Sequence, residues 1–245
     1  MPRTETCTWP QMKEFFCRHP AAFLPFGAHE QHGPHCPLNT DTVIASALAA
    51  SLAQHFEALL LPAIPYGETW NNEGFAGTLS ISFETVQHIL HDLGRGLKRS
   101  GAGALVIVNG HFGNRAPLEQ TCRRLRFEDG LPVLLLDYPG LERVAADVCE
   151  SAPAAPSFYH ADEFETSLML YLQPDTVNMQ LAAAEYPQFP ATFGAEPVML
   201  DGFCKSGVFG DPSGATAEKG RRIFEGLLAE SVQVVSLFLQ GVTRL

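Results

Sequence analysis

The sequence predicts an α/β fold in which a mainly parallel sheet is covered by helices on both faces. Two observations predict this fold. Apolar runs alternate with amphipathic stretches along the chain, and the apolar runs are continuous, without regular polar positions. A strand that is buried on both faces is apolar throughout, whereas a strand with one solvent face alternates. We see no internal repeat and no linker long enough to divide the chain, so residues 1–245 are expected to form one domain.

Each element follows from a local pattern. Strands are predicted at the short, solidly apolar runs, which are residues 22–26, 59–64, 104–108 and 132–136. Helices are predicted where apolar residues recur at a spacing of three or four, at residues 40–56, 82–99, 118–127, 162–172 and 216–240. Asn39 or Thr40 can cap the first of these helices, and Ser82 can cap the second. Residues 151–157 and 187–212 are long loops, and long loops in a compact domain are often functional lids.

Composition and charge limit the possible functions. The formal net charge of −11 disfavours nucleic acid, whose binding depends on Lys and Arg that neutralise phosphates. The N-terminal segment lacks the pattern of a signal peptide, and no stretch approaches the roughly 18 apolar residues that span a bilayer. The six cysteines include no CxxC pair, which is typical of free thiols in a reducing compartment. We therefore expect a cytoplasmic protein that binds neither nucleic acid nor membrane.

The segment AHEQHGPHCPLNTD, residues 28–41, indicates a metal site. Glu30 and His32 follow a buried strand and lie two residues apart, so they point to the same side of an extended backbone. Glycine and proline turns can then bring Asp41 back toward them, at the edge of the sheet where ligands bind in open α/β folds. Two carboxylates and an imidazole suit Zn, Mn or Fe. The alternatives are that Glu30 and His32 are surface loop residues and that Asp41 complements a helix N-terminus.

Two further segments supply candidates for the same edge of the sheet. His111 lies in NGHFGN, directly after the predicted strand 104–108, although it could be an ordinary loop histidine. In HADEFETS, Asp162 and Glu165 have the spacing of a capping box, so Glu165 either closes a helix start or faces the site. His160 lies in the loop that leads into the same helix.

Five segments together resemble the creatininase (creatinine amidohydrolase) family. They are LPFGAHEQHGPHCPLNTD, FAGT, NGHFGN, HADEFETS and GVFGDPSGATAEKG, which occur in the family's order between residues 24 and 220. The resemblance implies a three-layer α/β/α sandwich with a mainly parallel sheet, two divalent ions per chain (Zn and/or Mn, or Fe), hydrolysis of an amide-type C–N bond, and commonly a hexamer. It implies metal ligands at Glu30, His32, Asp41, His111 and Glu165, with Asp41 shared by both ions. It also implies that His160 transfers a proton near the bond that is cleaved.

The sequence departs from creatininase itself in ways that concern the substrate. Creatininase has a Glu that helps to hold a metal at the position of Gly113, and many relatives carry a His where Asn72 stands. Creatininase also packs its substrate with tryptophans, whereas Trp9 and Trp70 lie outside the corresponding segments. Other branches of the family cleave formyl amides or a short peptide in cofactor maturation.

We therefore expect hydrolysis of a non-peptide amide in a small molecule. The alternatives are a peptidase for a short peptide and a catalytically idle relative that binds a small molecule. Phosphate-ester hydrolysis is disfavoured because Arg115 alone lies near these segments to clamp a phosphate.

Three charged or titratable residues near these segments have open roles. His35 either forms a hydrogen bond within its loop or contacts the substrate. Glu163 either orients His160 or a ligand, or is a solvated helix residue, and the second interpretation is favoured. Lys219 lies in GDPSGATAEKG, whose backbone amides could bind an anion, or it belongs only to a solvated helix face.

Overall fold

A four-stranded parallel sheet with the order β2-β1-β3-β4 lies at the centre of the molecule. The computed structural model describes residues 3–18 and 21–242. The strands are β1 (Ala21–Phe26), β2 (Leu59–Leu60), β3 (Ala104–Asn109) and β4 (Val133–Leu136). The α-helices of the described residues are α1 (Trp9–Arg18), α2 (Thr40–His55), α3 (Phe83–Arg99), α4 (Arg115–Phe127), α5 (Leu141–Val148), α6 (Glu163–Leu172) and α7 (Ala217–Val242).

The strand side chains point alternately into two cores. Phe23 and Val106 face the core that is built with α2, α5, α6 and α7. Leu24 and Ile107 face the opposite core, which is built with α3 and α4. Both faces of the sheet are therefore covered, and the continuous apolar runs are explained. This arrangement confirms the expected three-layer α/β/α sandwich.

The second strand is shorter than the predicted run of residues 59–64. Proline has no N–H group to donate to a ladder, and Pro62 interrupts the pairing with β1. Leu61 N–H still donates to Phe23 O at 2.9 Å, and Ile64 N–H donates to Pro25 O at 3.0 Å. The chain thus continues alongside β1 as far as Ile64, but the regular strand stops at Leu60.

Two α-helices of the described residues were not predicted, and the predicted helices begin and end within a few residues of the expected positions. The unpredicted helices are α1, which adds Phe16 to a small core with Ala22 and Leu59, and the eight-residue α5. Ser82 caps α3 as expected, since its Oγ accepts a hydrogen bond from Thr85 N–H.

The long helix α7 packs directly on α6. A Cβ at Gly220 would lie 1.8 Å from Ser167 O, so only glycine allows this approach. By length and composition, with a mean hydropathy of 1.3 over its apolar window, α7 is long and apolar enough to cross a membrane. The expectation that no stretch reaches that length is therefore wrong for α7. Its residues Ile223, Leu227 and Val235 are buried in the core of this fold, a position in which long apolar helices are common.

Candidate metal centre

The predicted site residues meet at the carboxyl edge of the sheet. The loop after β1 carries Glu30 and His32, and the loop after β3 carries His111. Asp41 lies in the first turn of α2, and Glu165 lies in the first turn of α6. All five side chains are buried, with exposed fractions between 0% and 9%. The structure thus brings together residues that are up to 135 positions apart in the chain.

A tight turn folds the segment 28–41 back on itself. Gly33 has a φ of 65°, a left-handed conformation that favours glycine. Around this turn His32 and Cys36 form an antiparallel bridge, and Glu30 N–H donates to Leu38 O at 3.0 Å. The chain therefore enters α2 close to where it left β1, which places Asp41 beside Glu30 and His32.

The carboxylates and imidazoles form two groups of three that share Asp41. Glu30, Asp41 and His111 offer ligand atoms within 4.8 Å of one another, and so do His32, Asp41 and Glu165. Asp41 Oδ1 lies 3.1 Å from His32 Nε2, while Asp41 Oδ2 lies 3.4 Å from His111 Nδ1. The two oxygens of one carboxylate therefore face different groups, which is the arrangement that a bridging ligand needs.

Both histidines direct one ring nitrogen at these groups. His32 Nδ1 lies 3.2 Å from the carbonyl oxygen of Glu30, and His111 Nε2 lies 2.9 Å from the carbonyl oxygen of Glu68. A carbonyl oxygen only accepts, so each of these nitrogens carries the proton. The other nitrogen of each ring faces the carboxylates, His111 Nδ1 at 2.9 Å from Glu30 Oε1, and can bind a cation once it has lost its proton. Metal-binding histidines are commonly held in this way.

The buried carboxylates create a strongly negative environment for the two imidazoles. Burial by itself lowers the pKa of His32, but Asp41, Glu165 and Glu30 outweigh it and raise the pKa to about 10. The pKa of His111 is likewise raised well above its ordinary value, because Glu30 and Asp41 outweigh the effect of burial. Without a metal, these side chains must therefore hold protons that a divalent cation would replace.

The carboxyl groups show the complementary shifts. Burial raises the pKa of Glu165 to about 8, and the nearby Asp41 and Asp162 add to this effect. Burial also acts to raise the pKa of Asp41, but His32 and His111 outweigh it and hold the pKa well below its usual range.

Two buried polar atoms of the cluster have no hydrogen-bond partner. They are His32 Nε2 and Asp41 Oδ2, since the short contacts of these atoms do not have hydrogen-bond geometry. An unpartnered buried polar atom is costly and needs an explanation, such as a bound ion. The donor set of carboxylates and imidazoles and these free atoms fit divalent metal ions of the zinc or manganese type.

His160 lies beside the cluster. Its Nδ1 is 3.9 Å from Glu30 Oε1, and its ring centre is 4.6 Å from that of His32. Glu30, His32 and His160 form a third group of possible ligands. Burial, together with His32, lowers the pKa of His160 to about 4, so its imidazole is neutral near pH 7.

A cavity of about 150 Å³ opens over the cluster and reaches Glu68. Its aromatic walls are formed by Trp70, Phe112, Tyr138, Phe158 and Tyr159. Among the described residues, no Lys or Arg lines it. The nearby Arg115 instead stacks on Phe112, 3.8 Å from the ring centre, and pairs with Asp137.

Sequence reasoning left two polar residues beside the cluster without a role. Asn72 donates from Nδ2 to Glu30 Oε2 at 2.7 Å, which resolves its open role as a partner of a candidate ligand. Gln31 lies between Glu30 and His32 in the sequence, and its amide contacts His160 at 2.7 Å. Its position between two candidate ligands was the only available signal. In an extended backbone, however, Glu30 and His32 point to one side and Gln31 is expected to point to the other, away from the site.

Glu163 is not a solvated helix residue. Its side chain is 1% exposed and pairs with Lys219 at 2.5 Å, and it accepts hydrogen bonds from the backbone N–H groups of Glu150 and Ser151. Lys219 is correspondingly 14% exposed, so the interpretation that places it on a solvated face is also wrong. The reason is tertiary: the start of α6 faces the start of α7 and the loop that follows α5.

The other residues near α6 whose roles the sequence left open also have defined contacts. Asp162 caps α6 through the N–H groups of Phe164 and Glu165. The carboxylate of Glu165 accepts a hydrogen bond from Ala161 N–H at 2.7 Å, so it supports the helix start and also faces His32. His35 contacts Thr166 Oγ1 at 2.8 Å and belongs to none of the ligand groups.

No side chain can occupy position 113 in this arrangement. A Cβ at Gly113 would lie 2.2 Å from Glu68 O and 2.4 Å from His111 Nε2. The hydrogen bond between these two atoms fills the space that a larger residue would need. The Glu that creatininase carries here is therefore incompatible with the way this chain holds His111.

Comparisons with known proteins agree with this architecture. The family model of creatinine amidohydrolase matches residues 5–235. The mycofactocin precursor peptide peptidase of Mycolicibacterium smegmatis is 34% identical over 216 residues, which cover 84% of this chain and 80% of that protein. The creatinine amidohydrolase of Pseudomonas putida is 30% identical over 236 residues, which cover 89% of this chain and 90% of that protein.

Solved structures of creatininase superpose on nearly the whole chain. A mutant creatininase of Zn-Zn type has a TM-score of 0.83 and 27% identity, and the match covers 95% of this chain and 96% of that one. A creatininase with Mn has a TM-score of 0.80 and 27% identity, with the same coverage of both chains. The likeness therefore covers the fold as well as the sequence, and the chain belongs to the creatininase family.

Proposed function

We propose that this protein is a metal-dependent amidohydrolase with two divalent ions in its site. The observation that carries the proposal is the pair of ligand groups that share Asp41. Glu30, Asp41 and His111 would hold one ion, and His32, Asp41 and Glu165 would hold the other. Support for zinc or manganese comes from the donor types and from creatininase structures that are described as Zn-Zn type or Mn.

When bound, two such ions would lower the pKa of a water molecule and polarise the carbonyl group of the substrate. The protein must then complete a proton balance. A C–O bond forms from water, the amide C–N bond breaks, and the leaving nitrogen gains the proton that the water loses. We assign His160 to this transfer, because its ring borders both the cavity and the cluster. Its neutral ring would first accept a proton from the attacking water and then give it to the leaving nitrogen.

The charges around the cavity favour an uncharged substrate. Glu30, Asp41, Glu165 and Glu68 line it, and these four carboxylates would balance the four positive charges of two divalent ions. Among the described residues, Glu68 has no ion-pair partner, and burial raises its pKa. With no Lys or Arg in the wall to attract an anion, an amide fits better than a phosphate ester.

The small cavity fits a compact amide, either a free small molecule or the end of a short peptide. The second form is favoured by one observation, the 34% identity to a peptidase that acts on a precursor peptide. Hydrolysis restricted to non-peptide bonds, which the sequence led us to expect, is therefore too narrow a proposal. We also expect a homo-oligomer, with a hexamer implied by the resemblance, and light scattering on the purified protein would measure its mass.

The test compares zinc- or manganese-loaded protein with protein treated with a chelator. Small amides, formyl amides and short peptides would be screened by mass spectrometry for amine, ammonia, formate or peptide release. We expect release that depends on metal, and His160→Ala should keep its metals while kcat falls about 10²- to 10⁴-fold. Loaded protein that hydrolyses none of these classes would contradict the proposal and favour the idle binder. Loss of metal from His160→Ala would identify His160 as a ligand.

A further inference from the structure

The two long loops, residues 151–157 and 187–212, meet beside the catalytic cavity in a small aromatic core of their own. The ring centre of Phe158, which directly follows the first loop, lies 5.5 Å from that of Phe189 and 5.0 Å from that of Phe209. These rings belong to an apolar cluster that is separate from the two cores of the sheet. Tilted and edge-to-face ring pairs of this kind stabilise the two loops against each other.

The base of the second loop is closed by hydrogen bonds. Glu185 N–H donates to Gly210 O at 2.9 Å, and Gly210 N–H donates to Glu185 O at 2.8 Å. The carboxylate of Glu185 accepts hydrogen bonds from the N–H groups of Lys205 and Ser206 at 2.9 and 2.7 Å. We call the segment between these contacts, residues 186–204, the strap. A loop whose ends lie close together and whose side chains pack on one another is ordered and frequently functional.

Leu200 is the point at which the strap reaches the catalytic cavity. Among residues 186–204, all of which the structure describes, Leu200 alone lines that cavity. Its carbonyl oxygen accepts a hydrogen bond from Cys204 N–H at 2.9 Å, and its side chain is fully buried in the aromatic cluster. The next residue, Asp201, presses against the loop that follows β2, because a Cβ at Gly74 would lie 2.0 Å from its carboxylate. The strap is therefore held on the cavity side as well as at its base.

Leu200 and Phe158 make part of the cavity wall purely apolar. Both side chains line the cavity, and neither has a polar atom. The polar groups of the wall come from other segments, such as the loop that carries Glu68 and Asn71. A polar substituent against Leu200 would lose water without gaining a hydrogen bond from it, whereas an apolar substituent gains by leaving water. This part of the wall can therefore discriminate between amides that offer the same reactive bond.

We propose that Leu200 is a specificity-determining residue, which selects amides that carry a small apolar group beside the bond to be cleaved. This inference rests on the proposed function and narrows its substrate class. A cavity of about 150 Å³ is the size that holds one benzene molecule, so an amide with a branched aliphatic group fills it and an amide with an added ring exceeds it. In a close-fitting apolar pocket, one methylene more or less changes kcat/KM about 10- to 200-fold.

The test measures the binding of probes to zinc-loaded protein by calorimetry. The probes share a hydroxamate head, which chelates metal ions, and differ in the attached group: isobutyrohydroxamate is apolar, glycolohydroxamate is polar, and phenylacetohydroxamate is apolar but larger. We expect the unsubstituted protein to bind isobutyrohydroxamate at least about 10-fold more tightly than either of the others. In Leu200→Ala, the advantage over glycolohydroxamate should fall about 10-fold, and phenylacetohydroxamate should bind about 10-fold more tightly than before.

Three controls separate selectivity from a structural effect. Leu200→Met keeps an apolar side chain of similar volume and should keep the preferences. Leu181→Ala, at a position that is 51% exposed and outside the cavity, should change nothing. Each variant should retain two zinc ions per chain, since Leu200 belongs to neither ligand group. A Leu200→Ala protein that binds every probe more weakly by the same factor, or that keeps the original preferences, would overturn the proposal.

Amides that need no metal separate this test from the proposed function. Ligand-observed NMR compares the binding of isobutyramide and glycolamide to the protein with and without zinc, and isobutyramide should bind more tightly in each case. Failure of all three hydroxamates to bind would count against the metal centre and not against Leu200, because the amides report the preference separately. Equal binding of the two amides to the unsubstituted protein would overturn the role of Leu200 whether or not zinc is bound.

Discussion

Removing Asp41 should abolish binding of both metal ions, whereas removing Glu165 should abolish binding of one. Asp41 belongs to both ligand groups, and its two oxygens face different histidines at 3.1 and 3.4 Å. Asp41→Ala therefore leaves each group with two ligands. Glu165→Ala removes one ligand from the group that contains His32 and leaves the other group complete. The expected zinc contents are two ions per chain for the unsubstituted protein, about none for Asp41→Ala and about one for Glu165→Ala.

The same difference should appear in thermal stability. An ion present at 100 times its Kd stabilises the folded state by about 2.7 kcal/mol. For a domain of this size, 1 kcal/mol corresponds to roughly 2–4 °C in Tm. Addition of zinc should therefore raise the Tm of the unsubstituted protein by roughly 10–20 °C, that of Glu165→Ala by about half as much, and that of Asp41→Ala very little.

Elemental analysis and calorimetric melting curves of dialysed proteins would measure both quantities. Asp137→Asn is the matched control, since Asp137 lies near the same edge of the sheet but belongs to neither group and pairs with Arg115. It should keep two ions. The shared-ligand reasoning is refuted if Asp41→Ala retains two ions, or if Glu165→Ala loses both while its folded structure is intact.

Two further predictions concern stability and pH. Lys219→Met should lower the free energy of unfolding by about 3 kcal/mol, because it leaves the buried carboxylate of Glu163 with two backbone donors and no countercharge. The exposed Lys205→Met is the control for chemical denaturation. Burial acts to raise the pKa of Glu163, but hydrogen bonds from Lys219 and the backbone outweigh it and lower the pKa. The loss of unfolding free energy in Lys219→Met should therefore be present above roughly pH 4.3 and vanish as the pH falls further. A constant loss down to roughly pH 2 would contradict the ion pair. Metal affinity should fall as the pH falls. His32 and Glu165 must each lose a proton to bind, and their pKa values without metal are about 10 and about 8. The affinity of the group formed by His32, Asp41 and Glu165 should fall by about 10-fold or more from roughly pH 7.5 to 6.5, as measured by chelator competition. A pH-independent affinity would show that these side chains are not ligands.

Much of the fold could be predicted because its signals are local. The solidly apolar strands and the helical spacing of apolar residues are properties of short segments, so β1, β3, α2 and α3 were located within a few residues. The missed helices are α1 and α5. Neither has a long apolar face, and tertiary contacts with the rest of the core stabilise them.

The candidate ligands could also be predicted, since their spacing and their places after strands are visible in the sequence. The partners of these ligands could not. Glu163 looked solvated because nothing local shows that α7 places Lys219 against it. Gln31 gave no distinct signal, and Asn72 stood out only as a departure from its relatives, because the roles of both depend on atoms of His160 and Glu30 that other segments deliver.

The sequence by itself determined the α/β class, the residue types of a carboxylate-rich metal site and the family to which they belong. Periodicity and short spacings are local, and a linear chain displays them directly. The tertiary structure alone decided that Asp41 lies between two histidines, that Gly113 leaves no room for a carboxylate, and that Gln31 faces His160. These facts are distances between atoms far apart in the chain, and they are set only when the loops converge at the carboxyl edge of the sheet.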